Sequence, residues 1–131
     1  SALKKRRDAG GIKTIAYDPN NAREFALNCE NVLGITTFGF WQRPHKYNEP
    51  LKEFKIALQE GRIIHGNNPL LGWSALNVVE HEDHQGNRMP AKARSLDKID
   101  PFVAVLMAFS EVMFAERAKP SVYEKRGPLI L

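Results

Sequence analysis

The sequence predicts an α/β domain, and two observations support that prediction. Residues 12–17 and 35–41 are rich in β-branched and aromatic side chains, and the pattern between them, from Ala22 to Asn31, is helical. A strand, a helix and a strand within about thirty residues are typical of a parallel crossover unit. Further along, residues 97–116 show a wide apolar face, which predicts a long, deeply packed helix.

The composition fits a single domain with a real core. The 131 residues are 43% hydrophobic and 26% charged. A net charge of +4 permits an anionic partner without requiring one. Much of the excess lies in Lys4 to Arg7, and we interpret residues 1–11 as a solvated basic arm or linker, with a phosphate-facing patch as the alternative.

The expected compartment follows from what the sequence lacks. Cys29 is the only cysteine, so an intrachain disulfide is excluded, and we expect it to be a small core residue. No apolar run is long enough to span a bilayer, and the amino terminus has no apolar signal region. We therefore expect a soluble, intracellular protein without a membrane partner.

A carboxylate follows the first predicted strand. Asp18-Pro19 ends this strand, and Asn20 and Asn21 are suitable caps for the helix that follows. In open α/β sheets, ligands and catalytic groups gather at the carboxyl ends of strands. The alternative is that Asp18 only caps a turn or the next helix.

The middle of the chain predicts two further helices. After a loop over 42–47, Asn48 caps a helix with Pro50 in its first turn and Gly61 at its end. Asn68-Pro69 opens a shorter helix. The buried residues of the two helices are expected to be Leu51, Phe54, Ala57 and Leu58 in the first, and Leu70, Leu71, Trp73 and Leu76 in the second.

Residues 78–94 predict a β-hairpin that turns at Gly86-Asn87. His81 and His84 lie near its tip, and together with His65 they raise the question of a zinc site. No HExxH helix aligns them, so we interpret them as solvated polar residues. Phosphate-loop and dinucleotide signatures and a serine nucleophile elbow are missing as well.

Asp100 is the second candidate carboxylate, at the amino end of the long apolar helix. An Asp before a Pro is a favourable helix cap, which explains this residue on local grounds. If the helix packs across the carboxyl end of the first strand, however, Asp100 and Asp18 meet. Two such carboxylates can hold Mg²⁺ or Mn²⁺, which complete their shells with water and substrate phosphate.

The chain resembles the carboxyl-terminal nuclease domain of bacteriophage terminase large subunits, the DNA-packaging motors. Single pieces of the resemblance are weak, but they occur in the order of the family and cover nearly the whole chain. The matching pieces are 15–19 (Ile-Ala-Tyr-Asp-Pro), the helix 51–61, 65–73 (His-Gly-Asn-Asn-Pro-Leu-Leu-Gly-Trp), 77–79, Gly86-Asn87, Lys92, Lys98-Ile99-Asp100 with Ala104 and Met107-Ala108, and 121–124 with Arg126-Gly127.

The resemblance implies an RNase H-like fold and metal-dependent cleavage of double-stranded DNA during genome packaging. It implies three acidic residues that hold two Mg²⁺ or Mn²⁺ ions, with Asp18 matching the second and Asp100 the third. The first is expected on a strand before residue 1, because Asp8 is in the wrong context to replace it. We thus expect a partial domain without its first strands, with residues 12–117 as its carboxyl-terminal part and 118–131 as a tail.

The same resemblance implies the surroundings of the site. The hairpin and the basic residues Lys92 and Arg94 are expected to hold the DNA backbone, although Lys92 as a mere surface charge is equally compatible. The implied partners are an ATPase domain of the same polypeptide, the terminase small subunit and the portal, in the cytoplasm of an infected or lysogenic bacterium. A domain without its first strands would also expose apolar surface, so we expect self-association.

Two other functions stay open at this point. The first is a non-catalytic DNA-binding or motor-docking module, which keeps the fold without the complete acidic set. The second is a different RNase H-like nuclease or a recombinase.

Overall fold

The computed structural model describes residues 2–91 and 98–118. Within these residues the chain forms, in order, α1 (Ala2–Asp8), β1 (Thr14–Tyr17), α2 (Arg23–Leu33), β2 (Thr36–Gly39), α3 (Pro44–Gln59), α4 (Pro69–Asn77), β3 (Glu80–Glu82), β4 (Arg88–Pro90) and α5 (Asp100–Ala118). None of these helices is long and apolar enough to cross a membrane. Of the tail predicted over 118–131, Ala118 belongs to α5, and the rest lies outside the described residues.

The parallel crossover unit predicted for the first third of the chain is confirmed. Strands β1 and β2 pair in parallel from Thr14 opposite Thr36 to Tyr17 opposite Gly39, and α2 connects them. Ala26 and Cys29 of α2 are buried, as the helical spacing predicts for a small core cysteine. The αL conformation of Gly34, φ +63°, ends the helix, where the amide of Gly34 donates to the carbonyl of Glu30 and the amide of Ile35 donates to the carbonyl of Cys29.

The helix before β2 starts differently from the prediction. The N-cap of α2 is Ala22, which provides no side-chain cap, so the predicted caps Asn20 and Asn21 are wrong. Instead, Asp18 organises the turn, because its backbone carbonyl accepts from the amides of Asn21 and Ala22 at 3.1 and 2.9 Å. The basic amino terminus is also ordered, since α1 is helical and the Arg7 guanidinium donates to the carbonyl of Leu33.

The hydrophobic core lies between α3 and α5, beneath the parallel strands. The ring of Phe54 contacts Phe102 and Phe109 edge to face, with centroid distances of 5.8 and 5.3 Å. The buried members of the core cluster are Phe40, Tyr47, Leu51, Phe54, Ile99, Phe102, Val103, Leu106 and Met107. Helix α5 packs against α3, α4 and β1, so it is the central element of this domain. Val112 of α5 is exposed, although its position in the sequence places it on the apolar face predicted for this helix.

Helix α3 begins earlier than the sequence predicts. Pro44 occupies its first turn, where the fixed φ of proline suits a helix and no amide donor is needed. Most of the predicted loop over 42–47 is therefore helical, and Asn48 is an interior residue of α3. Pro50 also lies inside the helix and is fully buried. Leu58, predicted to be buried, is exposed near the end of α3.

Helix α4 has the predicted cap but not the predicted packing. The Asn68 side chain accepts from the amides of Leu70 and Leu71 at 3.0 and 3.2 Å. Leu70, Trp73 and Leu76 are nevertheless 58%, 43% and 86% exposed, so their assignment as packing residues is wrong. The buried residue of α4 is Ser74. This helix is apolar nearly all round, so periodicity does not identify its inner face.

The predicted hairpin is confirmed in shorter form. Strands β3 and β4 pair antiparallel, with His81 opposite Met89. At the turn Gly86 supplies the positive φ of +81°, whereas Asn87 does not adopt one. Glu80 forms ion pairs with Lys55 of α3 and, at 3.3 Å, with Arg88 of β4. These contacts hold the hairpin against α3.

Candidate functional site

Asp18 lies at the carboxyl end of β1 and is partly buried. Its Oδ1 accepts from the amide of Asn20 at 3.0 Å, and its Oδ2 accepts from the Asn21 side-chain amide at 2.7 Å. The turn-capping role considered for this residue is thus present. It does not exclude metal binding, because the two oxygens of an ionised carboxylate have about four lone-pair sites.

A cleft of about 570 Å³ opens beside Asp18. Four parts of the fold form its walls: the turn after β1, the segment that leads from β2 into α3, the hairpin, and α5. The described residues that line it are Asp18, Asn20, Asn21, Gln42, Tyr47, His81, Met89, Pro90, Ala91 and Val103. The cleft therefore combines polar groups from the strand ends with an apolar wall from β4 and α5.

Tyr47 and Gln42 link the cleft to the core. The Tyr47 hydroxyl donates to Gln42 Oε1, and Gln42 Nε2 donates to the carbonyl of Phe40 at 3.1 Å. Burial raises the pKa of Tyr47, the hydrogen bond from its hydroxyl to Gln42 opposes that shift, and the negative charge of Asp18 adds to it. Tyr47 is therefore a protonated hydrogen-bond donor near the Asp18 carboxylate.

Sequence reasoning missed Gln42 and Tyr47 because it assigned both to a loop. One signal could have identified Gln42. It follows the second strand of a parallel pair, whose carboxyl end lies at the same edge as that of the first. Tyr47 gave no such signal, because its position depends on the early start of α3 at Pro44.

Asp100 is exposed in the first turn of α5. Helix α5 contacts β1, as the pairing of Asp100 with Asp18 requires, and Val103 of α5 lines the Asp18 cleft. Residues three apart are neighbours on a helix surface, so Asp100 and Val103 lie on the same face of α5. A joint role of the two carboxylates remains a prediction.

The hairpin contributes one of its two histidines to the cleft. His81 lies on β3, is partly buried and lines the cleft, whereas His84 lies at the exposed turn. The interpretation of His81 as a solvated turn residue is therefore wrong. The predicted DNA-binding residues Lys92 and Arg94 lie outside the described residues, so their role stays a prediction.

The donor set of the cleft fits a divalent metal only in part. Over residues 2–91 and 98–118, no group of three or more His, Cys, Asp or Glu side chains is arranged to hold a metal ion. Mg²⁺ is nevertheless commonly bound through one or two carboxylates together with substrate phosphates and water. Asp18 and Asp100 therefore have suitable ligand chemistry, but they form an incomplete acidic set.

Comparison with known proteins identifies the family. The model of the terminase large subunit endonuclease domain matches residues 9–116. The chain is 36% identical over 73 residues to Protein YmfN of Escherichia coli K12, which covers 53% of this chain and 16% of that protein. It is 26% identical over 98 residues to the terminase large subunit of Enterobacteria phage HK97. This match covers 74% of this chain and 19% of that protein.

A solved structure shows the same fold. The crystal structure of the HK97 bacteriophage large terminase matches with a TM-score of 0.70 at 23% identity, over 83% of this chain and 23% of that one. The present chain thus spans less than a fifth of the length of either curated relative. Because the family match extends over most of its length, the chain belongs to the terminase large subunit endonuclease-domain family.

Proposed function

We propose that this chain is part of an RNase H-like nuclease that cuts double-stranded DNA by metal-dependent hydrolysis during phage genome packaging. The observation that carries the proposal is the position of Asp18. Its carboxylate follows a parallel strand and borders a cleft that is also lined by Val103, one turn along α5 from Asp100. Membership of the endonuclease-domain family supports the same chemistry.

In this proposal Asp18 and Asp100 are ligands of Mg²⁺ or Mn²⁺. When two such ions are bound, they activate the attacking water and stabilise the leaving oxygen of the phosphodiester. Asn20 and Asn21 orient the Asp18 carboxylate through the hydrogen bonds that they donate. The hydroxyl of Tyr47 and the amide of Gln42 keep the inner wall of the cleft in place. A third acidic ligand would come from another part of the polypeptide.

The proposed assembly is a DNA-packaging motor. There the chain would act on double-stranded DNA beside an ATPase domain of the same polypeptide, with the terminase small subunit and the portal as further partners. The proposed location is the cytoplasm of an infected or lysogenic bacterium. Lys92 and Arg94, after the hairpin, are proposed to contact the DNA backbone, where cationic side chains position DNA without reading its sequence.

A second candidate is a DNA-binding or motor-docking module without catalysis. The incomplete acidic set among the described residues favours it. The two candidates share the fold and the DNA partner, but they differ in whether Asp18 and Asp100 matter for cleavage.

A plasmid-nicking assay with Mn²⁺ separates the two candidates. In the intact polypeptide that contains this chain, we expect Asp18→Asn and Asp100→Asn each to lower the cleavage rate by more than about a hundredfold, because each removes a metal ligand. Asp8→Asn is the matched control, since Asp8 is an exposed carboxylate paired with Arg7. Undiminished cleavage by the double variant Asp18→Asn/Asp100→Asn would refute the assigned site.

A further inference from the structure

We infer that His81 contacts a phosphate group of the DNA backbone in the Asp18 cleft. The inference rests on the proposed nuclease function, and it adds a substrate-binding residue that the acidic set does not include. Without bound metal ions the carboxylate of Asp18 repels a phosphate at close range, so a hydrogen-bond donor on another wall of the cleft favours binding of a DNA strand there. His81 lines such a wall.

The position of His81 is fixed by regular structure. It lies in the middle of β3 and is paired with Met89 of β4. The preceding residue, Glu80, forms ion pairs with Lys55 and Arg88, and the Arg88 amide donates to Asn48 Oδ1 at 3.0 Å. The imidazole therefore extends from a strand that is attached to α3. Such support holds a binding group in place better than a loop tip does.

Three other side-chain donors at the cleft are already used within the protein. The Asn21 side-chain amide donates to Asp18, the Gln42 amide donates to the carbonyl of Phe40, and the Tyr47 hydroxyl donates to Gln42. Among the described lining residues, the side chains of Asn20 and His81 make no such hydrogen bond to a protein acceptor, and of these two His81 is the ionisable one. An imidazole N–H, charged or neutral, is a suitable donor to a phosphate oxygen.

The carboxylate of Asp83 on the hairpin interacts electrostatically with His81, but its hydrogen bonds commit it to the turn. Its Oδ1 accepts from the amides of Gln85 and Asn87 at 2.9 and 2.8 Å, and its Oδ2 accepts from the Asn87 side chain at 3.2 Å. The titratable groups that line the cleft from other elements are the Asp18 carboxylate and the protonated Tyr47 hydroxyl. The imidazole is thus left for a ligand in the cleft.

The test is DNA affinity, measured for the full chain with two duplexes of unrelated sequence by fluorescence anisotropy without divalent metal. We expect His81→Ala to weaken binding to both duplexes by about tenfold, the effect of one hydrogen bond to a charged group. His84→Ala is the matched control and should bind like the wild type, because His84 lies on the same hairpin but outside the cleft lining. His81→Arg retains a phosphate donor and should retain binding.

The outcomes separate this inference from the proposed function. If the wild-type chain binds DNA and His81→Ala binds as tightly as His84→Ala, the inference is overturned while the nuclease proposal stands. If the wild-type chain binds neither duplex, the inference is overturned, whereas the nuclease proposal is decided by the Mn²⁺ nicking assay on the intact polypeptide. Loss of affinity for only one duplex would also contradict a backbone contact. Unchanged circular dichroism of His81→Ala, with binding restored in His81→Arg, excludes misfolding as the cause of a loss.

Discussion

Tyr47 connects the hydrophobic core to the candidate site. Its ring is fully buried and packs edge to face on Phe40, with ring centroids 4.8 Å apart. Its hydroxyl, at the border of the cleft, donates to Gln42. One residue therefore couples the stability of the domain to the shape of the cleft beside Asp18.

Replacement of Tyr47 by phenylalanine tests this coupling. We expect Tyr47→Phe to lower the free energy of unfolding by about 1–2 kcal/mol, because Gln42 Oε1 loses its donor in a partly buried site. Urea unfolding followed by tryptophan fluorescence measures the change. Tyr17→Phe is a suitable control, because no hydrogen bond of its hydroxyl occurs within the described residues. Equal stability of Tyr47→Phe and the wild type would contradict the coupling.

The difference in free energy of unfolding between the wild type and Tyr47→Phe depends on pH in a direction that the pKa of Tyr47 determines. Burial raises the pKa of Tyr47, so the folded state favours the neutral phenol. The stabilisation is fully present below the ordinary tyrosine pKa of about 10 and is lost as the pH rises above it, because the unfolded chain then ionises first. We therefore expect the stability advantage of the wild type over Tyr47→Phe to narrow above about pH 10.

At the scale of elements, the hairpin is attached to α3 through Glu80. Partial burial opposes ionisation of this carboxyl, but the hydrogen bonds and charges of Lys55 and Arg88 outweigh it and lower the pKa of Glu80. Strand β4, in which Pro90 is buried, also packs against α3. The hairpin therefore carries His81 on a supported strand.

Glu80→Gln tests the attachment through its dependence on pH. We expect it to lower the free energy of unfolding at pH 7 by about 0.5–1 kcal/mol, the upper range for a partly exposed ion pair. A lowered carboxyl pKa gives stability that is present at neutral pH and is lost as the pH falls below about 4. The free energies of unfolding of Glu80→Gln and the wild type should therefore become similar in acid. Glu82→Gln is the control, because Glu82 contacts Arg88 only at 3.6 Å.

Elements with local signals were predictable from the sequence, whereas those determined by tertiary contacts were not. Gly34 and Gly86 mark a helix end and a tight turn through their own backbone conformations, so α2 and the hairpin were predicted nearly in place. The start of α3 was missed because Pro50 was taken for its first turn, while Pro44 also suits that position. The inner face of α4 depends on α5, against which it packs.

The residues of the candidate site were likewise predictable where the signal is local and unpredictable where it depends on tertiary contacts. Asp18 could be proposed from the sequence because a strand end is a local feature with a known functional tendency. The contribution of His81 could not, because it depends on how the hairpin packs across α3 and faces a turn more than sixty residues earlier. The partnership of Asp18 and Asp100 came from resemblance to a family and remains a prediction.

At the scale of the whole molecule, an apolar surface is left uncovered in the described part of the chain. It comprises Ile64, Leu70, Trp73 and Leu76, all exposed, around α4. A groove of about 750 Å³ between α3, α4 and α5 continues this surface. Contiguous apolar patches of this kind on small proteins commonly mark interaction sites. Self-association therefore stays a prediction, with this surface as the proposed contact.

Sedimentation of two charge variants tests whether α4 is the contact. We expect the wild-type chain to sediment as a dimer or larger species, and Leu76→Asp to shift it toward the monomer, because a buried unpaired carboxylate opposes association. Val32→Asp is the matched control, since Val32 is an exposed aliphatic residue on α2, away from α4. A monomeric wild type would contradict self-association, and equal effects of both variants would contradict the assigned surface.

Paramagnetic broadening of the amide NMR spectrum by Mn²⁺ tests whether Asp18 is a metal ligand. Broadening does not require catalysis, so it applies even to an incomplete acidic set. We predict selective loss of the amide signals of Asp18, Asn20, Asn21 and Asp100, while Gly34, at the opposite end of the parallel strands, keeps its signal. Asp18→Asn should abolish the selectivity. Broadening centred on Glu80–Glu82, or unchanged in Asp18→Asn, would contradict the account.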